Sequence, residues 1–214
     1  MKKHNYVIGI DQSYTRTGIT VLKNKEIVEM YSMDFKGCTD NTSKRQRLGS
    51  FLCELLVDLD SVENEIMVIT ERIRLRSQGF LSENYIKATG ALIATIIDVC
   101  TSFGIKVYSV DTRAWKSAIV GTSKPLDNPY GINAEKYRTI LYMRDRGLLK
   151  HIAEEYKGRG KKGVINVKMD VIEHGKKVRK KVPCKINDDL ADSYCIALYG
   201  YLPKTKQKLK KERF

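Results

Sequence analysis

The sequence predicts an α/β fold in which helices flank a mixed five-stranded sheet. Three observations carry this prediction: short β-branched runs typical of strands buried on both faces, longer segments with apolar residues at helical spacing, and alternation of the two after an opening antiparallel hairpin. The chain has 214 residues, of which 42% are hydrophobic, which is enough to bury a core. We therefore expect a single domain over residues 1–214.

Five runs predict the strands of this sheet. The polar segment Lys23-Asn24-Lys25 separates the second run from the third and is typical of a hairpin turn. The fourth and fifth runs alternate with helical segments, which implies a mixed sheet with helices on its faces. The predicted strands cover residues 6–10, 18–22, 27–33, 66–69 and 106–110.

Four segments predict helices. In the first, residues 43–58, Leu48, Leu52 and Leu55 recur at helical spacing, so this helix should be amphipathic. Apolar residues almost encircle the second, residues 84–103, which should therefore be heavily buried. Asn187 is well suited to cap the last helix. The remaining two helices are predicted over residues 134–146 and 188–201.

The segment before the last helix has a different pattern. Val167, Met169 and Val171 alternate with polar residues, which is typical of a strand, and Glu173-His174-Gly175-Lys176 supplies a turn. We predict a basic β-hairpin inserted at residues 157–186.

Almost all of the net charge lies in this hairpin and in a basic tail at residues 203–214. The formal charge of the chain is +14. Residues 157–181 contain ten basic and two acidic side chains, and residues 204–214 contain six basic and one acidic. Such runs are usually solvated loops and frayed tails. Concentration of the charge in two segments of an otherwise almost neutral body favours binding to the phosphates of a nucleic acid.

Other partners and locations are less compatible with the sequence. The longest apolar stretch, around residues 90–100, is shorter than the ~20 residues of a membrane span, and Asp11 interrupts the first apolar run, so we expect no membrane segment, no signal peptide and a cytoplasmic protein. The five cysteines include no Cys-x-x-Cys pair, so we expect neither a disulfide framework nor a zinc site.

Four carboxylates are candidate metal ligands. Asp11 and Glu71 each follow a buried strand, and in a βαβ sheet these strand ends could meet at one edge. Asp189 and Asp192 are three residues apart and share a face of the last helix, with Asp188 close to that face. Each also has a plainer interpretation, as a turn residue or as an acid that complements a helix dipole.

Together, these acids favour a cation over the plainer interpretations. Like charges that are crowded together repel each other unless a cation neutralises them. Oxygen ligands indicate Mg²⁺, with Mn²⁺ able to substitute, rather than zinc, since His4, His151 and His174 lack paired spacing. Two such ions can activate water and stabilise the leaving oxygen in phosphodiester hydrolysis.

The segments that carry the acids resemble the RuvC-type Holliday-junction resolvases of the ribonuclease H-like superfamily. The resemblance covers roughly residues 6–200 with the order of elements intact. Its motifs are Val7-Ile8-Gly9-Ile10-Asp11-Gln12-Ser13 with Gly18, Ile69-Thr70-Glu71, Trp115-Lys116-Ser117-Ala118-Ile119-Val120-Gly121, Ala134-Glu135-Lys136, and Asp189-Leu190-Ala191-Asp192-Ser193 with Ile196-Ala197.

The resemblance implies a homodimer with a ribonuclease H-like fold that makes paired Mg²⁺-dependent nicks at a four-way DNA junction. Asp11, Glu71, Asp189 and Asp192 would then be metal ligands. Lys116 would contact the region of the scissile phosphate, and Lys136 would hold the DNA backbone nearby.

Two features differ from the bacterial resolvases. An aromatic residue that wedges into the junction is expected soon after the second carboxylate, but the sequence there reads Glu71-Arg72-Ile73-Arg74. Phe80 is a candidate substitute, and Arg72, Arg74 and Arg76 favour a grip on the DNA backbone. The basic hairpin is the second difference, and it favours a phage-encoded variant acting in the cytoplasm of a bacterial host, with activity on other branched DNA.

Two alternatives stay open at this stage. An actin-like or sugar-kinase-like ATPase would share the segment Gly9-Ile10-Asp11-Gln12-Ser13-Tyr14-Thr15, but it would need a second domain and another glycine-rich phosphate turn; we therefore expect no nucleotide cofactor. A non-catalytic module that binds branched DNA is the other alternative, and the presence of all four candidate ligands argues against it.

Overall fold

A computed structural model describes residues 5–59, 65–72, 83–121, 134–156, 164–173, 176–204 and 207–212. Its central element is a mixed six-stranded sheet in the order β3-β2-β1-β4-β5-β9. Strands β1, β4 and β5 run parallel to one another, whereas β2, β3 and β9 pair antiparallel with their neighbours. The six strands are β1 Tyr6–Gln12, β2 Arg16–Lys23, β3 Glu26–Asp34, β4 Ile66–Glu71, β5 Lys106–Val110 and β9 Leu209–Lys211.

The prediction of five strands was wrong by one. The sixth strand, β9, comes from the segment that we interpreted as a charged tail, and it pairs with β5 through the register Tyr108–Lys211 and Val110–Leu209. Its three residues are too few, and too rich in lysine, for a strand pattern to emerge from the sequence. The predicted mixed sheet with flanking helices is confirmed.

The helices lie close to their predicted positions. Asn187 caps the last helix as predicted, because its side chain accepts a hydrogen bond from the Leu190 amide. The sequence did not predict two short helices, Thr112–Trp115 (α3) and Leu149–Ile152 (α5), or a π-helical turn at Lys116–Val120. The α-helices are α1 Asn41–Asp58, α2 Glu83–Ser102, α3 Thr112–Trp115, α4 Ala134–Asp145, α5 Leu149–Ile152 and α6 Asp188–Gly200.

The two faces of the sheet bury separate cores. Alternate residues of the strands, including Ile8 and Val68, face α1 and α2, while the residues between them, including Val7 and Ile69, face α6. Helix α2 is the one described helix that is long and apolar enough to span a membrane. Its apolar side chains, including the fully buried Ile96, instead pack into the first core.

Helix α6 lies in close contact with the backbone of β1 and β2. A Cβ atom on Gly18 would overlap the Asp189 carbonyl, and one on Gly9 would overlap the Ser193 carbonyl. The hydroxyls of Thr20 and Ser193 lie 2.7 Å apart across the same interface. The N-terminal turn of α6 is therefore held directly over the end of β1.

A β-hairpin lies immediately before α6, within the segment where the sequence predicts one. Strands β7 (Val164–Glu173) and β8 (Lys176–Ile186) pair antiparallel along their whole length. A third strand that was not predicted, β6 (Ala153–Glu155), pairs with the base of β8, so the hairpin belongs to a separate three-stranded sheet. Residues 157–163 and the turn at 174–175 lie outside the described residues.

All five cysteines are free.

Candidate active site

Asp11 and Glu71 stand side by side at the carboxyl ends of two parallel strands. In the β1–β4 register, Ile10 is paired with Thr70, and each acid is the next residue along its strand. Because side chains alternate along a strand, Asp11 lies on the same face as Val7, and Glu71 lies on the same face as Ile69. Both acids are therefore on the face that α6 covers.

Helix α6 brings Asp189 and Asp192 to the same place. Asp11 is paired with Gly18 in the β1–β2 register, and Gly18 lies against the backbone of Asp189. Asn187 fixes the start of the helix, because its side-chain amide also donates to the hydroxyl of Ser32 and the carboxylate of Glu154, each at 2.7 Å.

The carboxylates influence one another electrostatically. Burial raises the pKa of Asp11 well above its ordinary value, and the charges of Asp192, Glu71 and Asp189 raise it further. Lys136 lowers this pKa, but not enough to cancel the other effects. Asp192, Glu71 and Asp189 are thus close enough to oppose the ionisation of Asp11.

Burial is also the main reason that the two acids of α6 have raised pKa values. The pKa of Asp189 rises to about 6 through burial and the charge of Asp188, although Lys136 and Arg16 lower it. The pKa of Asp192 rises to about 7 through burial, against the lowering influence of Lys116. Three acids are therefore held where the fold disfavours their charged forms.

The donor set fits a hard divalent cation. The Oδ1 atom of Asp192 is buried, and it has no hydrogen-bond partner within the described part of the chain. A cation would satisfy this oxygen and relieve the repulsion among the carboxylates. Among the described residues, no three His, Cys, Asp or Glu side chains already have the arrangement of a bound-metal site. The carboxylates are thus neighbours that face one region, without a preassembled cage.

Glu71 is fixed by two residues that sequence analysis did not select. The indole Nε1 of Trp115 donates to Glu71 Oε1 at 2.9 Å. Gln12 clamps the backbone, because its Nε2 donates to the Glu71 carbonyl at 2.6 Å and its Oε1 accepts from the Glu71 amide at 3.3 Å. Trp115 is fully buried and Gln12 is nearly so. The signal available in the sequence for Gln12 was its position, since it is a polar residue directly after Asp11 at the end of a predicted buried strand.

Both predicted lysines lie beside the acids of α6. Lys116 Nζ is 3.8 Å from Asp192 Oδ2 and 5.1 Å from the centre of the Trp115 ring. Lys136 Nζ forms an ion pair with Asp188 Oδ2. Partial burial lowers the pKa of Lys136, but the hydrogen bond and charge of Asp188 outweigh it and raise this pKa overall.

The predicted DNA-binding segment after Glu71 is described only at its start. The side chain of Arg72 donates from Nε to the Ser109 hydroxyl at 3.3 Å, and that hydroxyl in turn donates to the carboxylate of Glu212. Arg72 is therefore tied to β5 and the end of β9. Arg74, Arg76 and Phe80 lie outside the described residues.

An exposed aromatic side chain, Tyr14, follows Asp11 by three residues in the chain. Tyr14 lies in the turn after β1, and Lys44 Nζ is 3.3 Å from the centre of its ring. The same ammonium group, which is buried, donates to the Tyr14 carbonyl at 3.1 Å. Sequence analysis assigned no role to this pair, because Lys44 is distant in the sequence and looks like an ordinary residue of an amphipathic helix.

The comparisons with known proteins give similarity at the level of structure. No protein-family model and no curated protein matches the chain. The structure of T. thermophilus RuvC in complex with a Holliday junction substrate is similar with a TM-score of 0.59 and 16% identity, over 98% of this chain and 100% of that one. A second Thermus thermophilus RuvC structure is similar with a TM-score of 0.52 and 17% identity, over 90% of this chain and 91% of that one.

A transcriptional regulator of the ROK family, a homolog of the E. coli MLC protein, reaches a TM-score of only 0.37 over 53% of this chain, which supports no argument. The two RuvC structures establish the architecture. The chain has a ribonuclease H-like fold of the kind found in RuvC, with its candidate carboxylates at the end of the central strands.

Proposed function

We propose that this protein is a metal-dependent endonuclease that nicks branched DNA, with the Holliday junction as its representative substrate. The convergence of Asp11, Glu71, Asp189 and Asp192 from three elements at one end of the sheet carries this proposal. The fold supports it, because the similar T. thermophilus RuvC was solved with a Holliday junction substrate.

The four carboxylates would hold Mg²⁺, with Mn²⁺ as a substitute. When bound, such ions supply activation of a water molecule and stabilisation of the leaving 3′ oxygen during displacement at phosphorus. The chain's contribution is to gather the oxygen ligands and to orient them. Trp115 holds one oxygen of Glu71, and Gln12 fixes the backbone at the same residue.

Two lysines are placed to bind the substrate near these acids. Lys116, held between Asp192 and the Trp115 ring, would contact the scissile phosphate region as a compact positive charge. Lys136 would contact the neighbouring DNA backbone from its position beside Asp188. In this proposal Asp188 orients Lys136, and Asp189 is the ligand.

The segment after Glu71 would make further contacts with the DNA. Arg72, Arg74 and Arg76 would contact phosphates, and Phe80 would act near the junction centre.

We further propose that the protein works as a homodimer, since two opposed strands must be nicked. We also propose that it is phage-encoded and acts in the cytoplasm of a bacterial host.

A cleavage assay with mapped nick positions tests the proposal. Labelled four-way, three-way, flap and linear DNA are each incubated with the protein in Mg²⁺ or in chelator. We expect nicks near the branch point only with metal, and none in linear duplex. Binding to junctions without metal-dependent nicking would instead favour the non-catalytic module.

Asp11→Asn is the variant that connects the activity to this site. It should abolish nicking and leave junction affinity in chelator largely intact, because it removes a metal ligand and no positive charge. Since burial and repulsion disfavour ionised Asp11, the variant should also melt no lower than the wild type without metal. Unchanged nicking by a folded Asp11→Asn protein would refute the assignment.

A further inference from the structure

The paired strands of the β7–β8 hairpin have two chemically different faces. On one face, Ile165 is paired with Cys184 and Val167 with Val182, and these side chains are buried. Because side chains alternate along each strand, the intervening residues lie on the opposite face. We call this opposite surface the basic face; its charged members are Lys168, Asp170, Lys177, Arg179, Lys181 and Lys185.

Two lysines of the basic face stand directly opposite each other. Lys168 is paired with Lys181 in the register, and both are exposed. Like charges in this arrangement destabilise a strand pair. Asp170, on the same face, pairs instead with Lys177, because its carboxylate lies 3.2 Å from Lys177 Nζ. Within the described residues neither Lys168 nor Lys181 has an acidic partner, so a bound anion would offset their repulsion.

An apolar side chain accompanies these charges. Ile172 lies on the basic face, opposite Lys177, and is 80% exposed, more than any other large apolar side chain in the described part of the chain. Proteins that bind DNA grooves combine cations with apolar side chains, which contact thymine methyl groups in the major groove or insert between base steps in the minor groove. The basic face therefore has the mixed chemistry of a surface for DNA.

The dimensions of the hairpin suit a DNA duplex. Its strands contain 10 and 11 residues, which at about 3.3 Å per residue gives a ribbon roughly 30 Å long. The major groove of B-DNA is ~12 Å wide and admits a two-stranded ribbon. The ribbon is thus as long as about one turn of duplex.

The hairpin is also joined directly to the candidate active site. Strand β8 ends at Ile186, Asn187 follows, and α6 begins with Asp188. Lys181 precedes the start of α6 by a stretch of strand roughly 20 Å long. This length corresponds to about six base pairs at ~3.4 Å each. A duplex arm that leaves the cleavage site could therefore run along the basic face.

We infer that the basic face of the hairpin binds a duplex arm of the branched DNA substrate, with Lys168 and Lys181 at its phosphates and Ile172 in contact with a groove. This inference rests on the proposed function, because it takes the cleavage site to lie at the start of α6. The other face of the hairpin carries the buried side chains together with Lys176 and Lys180. In this inference that face makes no contact with DNA.

A pair of matched double variants tests the inference. The full-length K168Q/K181Q and K176Q/K180Q proteins lose the same charge from opposite faces of one hairpin. Affinity for a four-way junction is measured in chelator by filter binding over a range of salt concentrations. Each lost phosphate contact should reduce the slope of log K against log salt by about 0.9.

We expect K168Q/K181Q to reduce this slope by about 2 and K176Q/K180Q to leave it unchanged. Equal reductions in both variants would mean that general charge is responsible and would overturn the inference. No reduction in either would assign the face to a partner other than DNA, which would also overturn it. Melting temperatures of both variants verify that the hairpin still folds.

Arm length provides a second test. On junctions whose loop-closed arms are trimmed to about four base pairs, shorter than the reach to Lys181, the wild type and K168Q/K181Q should bind equally well. A difference that persists on these short arms would place the lysines at another part of the DNA and refute the inference.

The apolar contact has its own signature. Ile172→Ala should weaken binding to the long-armed junction several-fold without changing the salt slope, because no phosphate contact is lost. Val57→Ala, at an exposed position on α1, should have no effect. Equal affinities of the Ile172→Ala and Val57→Ala proteins would exclude a contact at Ile172.

These binding tests are independent of cleavage. A protein that binds through the basic face but nicks no branched DNA would refute the proposed function and leave the duplex-binding surface in place. If the wild type nicks junctions but K168Q/K181Q leaves the salt slope unchanged, the proposed function stands and the inference about the basic face is refuted.

Discussion

Asp192 shows how the site opposes negative charge even next to a lysine. Lys116 Nζ lies 3.8 Å from its Oδ2, which is longer than a good charge-assisted hydrogen bond. Burial outweighs this attraction, so the pKa of Asp192 still rises to about 7. The protein thus supplies too little positive charge of its own, and a divalent cation would supply the remainder.

The raised pKa values predict how stability without metal depends on pH. Folded Asp189 and Asp192, with pKa values of about 6 and 7, bind protons more tightly than in the unfolded chain, where the ordinary value is 3.8. The stability that these groups contribute is present below pH 4 and is lost as pH rises through 6 and 7. In chelator the melting temperature should therefore fall between pH 5 and pH 8.

Added Mg²⁺ should reverse most of this fall at pH 8, because metal binds the ionised carboxylates. Asp192→Asn should flatten the dependence in chelator. Asp58→Asn, on the exposed end of α1, serves as the control and should retain the full slope. A wild-type melting temperature that rises between pH 5 and pH 8 without metal would contradict the electrostatic account.

If Trp115 positions Glu71 as a metal ligand, its effect should appear in metal dependence. Trp115→Phe keeps an aromatic ring but removes the donor to Glu71 Oε1. Partners that orient a metal ligand typically contribute 10–100-fold to metal affinity or activity. We expect the Mg²⁺ concentration for half-maximal nicking to rise at least about tenfold, with unchanged junction affinity in chelator.

Tyr199→Phe is the matched control for this prediction. Tyr199 is also fully buried in the core around α6, and its hydroxyl accepts a hydrogen bond from the Lys208 amide at 2.6 Å. This variant should lose stability without altering the Mg²⁺ requirement. If both variants shift the requirement equally, Trp115 has a purely structural role.

At the scale of elements, contact between α6 and the β1–β2 pair sets the position of Asp189. Gly18→Ala would place a methyl group against the Asp189 backbone and push the start of α6 away from the sheet. We expect a lower melting temperature and weaker metal-dependent nicking, measured by thermal unfolding and Mg²⁺ titration.

The control for this substitution is Gly90→Ala in the middle of α2, where an added Cβ meets no atom within 4 Å. This variant should stabilise the protein by up to about 1 kcal/mol, because alanine favours helix over glycine. Equal behaviour of the two variants would mean that α6 tolerates a shift at Gly18.

Strand β9 gives part of the basic tail a structural role. It covers the edge of β5, and Glu212 accepts from the Ser109 hydroxyl to which Arg72 is bonded. Ending the chain at Lys204 should expose this edge and lower the melting temperature. K210Q/K211Q keeps the strand and removes the charge, so it should weaken DNA binding while melting like the wild type. Equal melting of the truncated protein and the wild type would contradict this role.

Elements with a strong local pattern could be predicted from the sequence. The buried runs of β1, β4 and β5 and the apolar spacing of α1 and α2 specify their own type, and Asn187 marks the start of α6 chemically. Strands β6 and β9 could not be predicted, because each has three residues and forms only where a neighbouring strand offers an unpaired edge.

At the scale of the whole molecule, the sequence predicted which acids the fold brings together better than how they are supported. Asp11 and Glu71 end obvious strands, so their meeting follows from parallel pairing. The contacts of Trp115 with Glu71, and of Lys116 with Asp192, cross 44 and 76 positions of the chain. No local pattern specifies such contacts.

The distribution of charge over the folded molecule separates the candidate metal ligands from the basic face of the hairpin. The acids are gathered on one face of the central sheet, while the basic residues extend away on a hairpin whose base is continuous with α6. DNA bound along that hairpin would be held close to the carboxylates. If the proposals hold, substitutions among the acids and substitutions in the hairpin should alter cleavage and duplex binding independently.

Trp115 is the chain's single tryptophan. Its indole N–H donates a hydrogen bond to Glu71, a candidate metal ligand. The tryptophan fluorescence of the unlabelled protein therefore originates beside the carboxylate cluster. Any rearrangement of Glu71 on metal binding would change the environment of this one fluorophore. A simple emission titration, with neither DNA nor cleavage, would make the protein report directly on its own site.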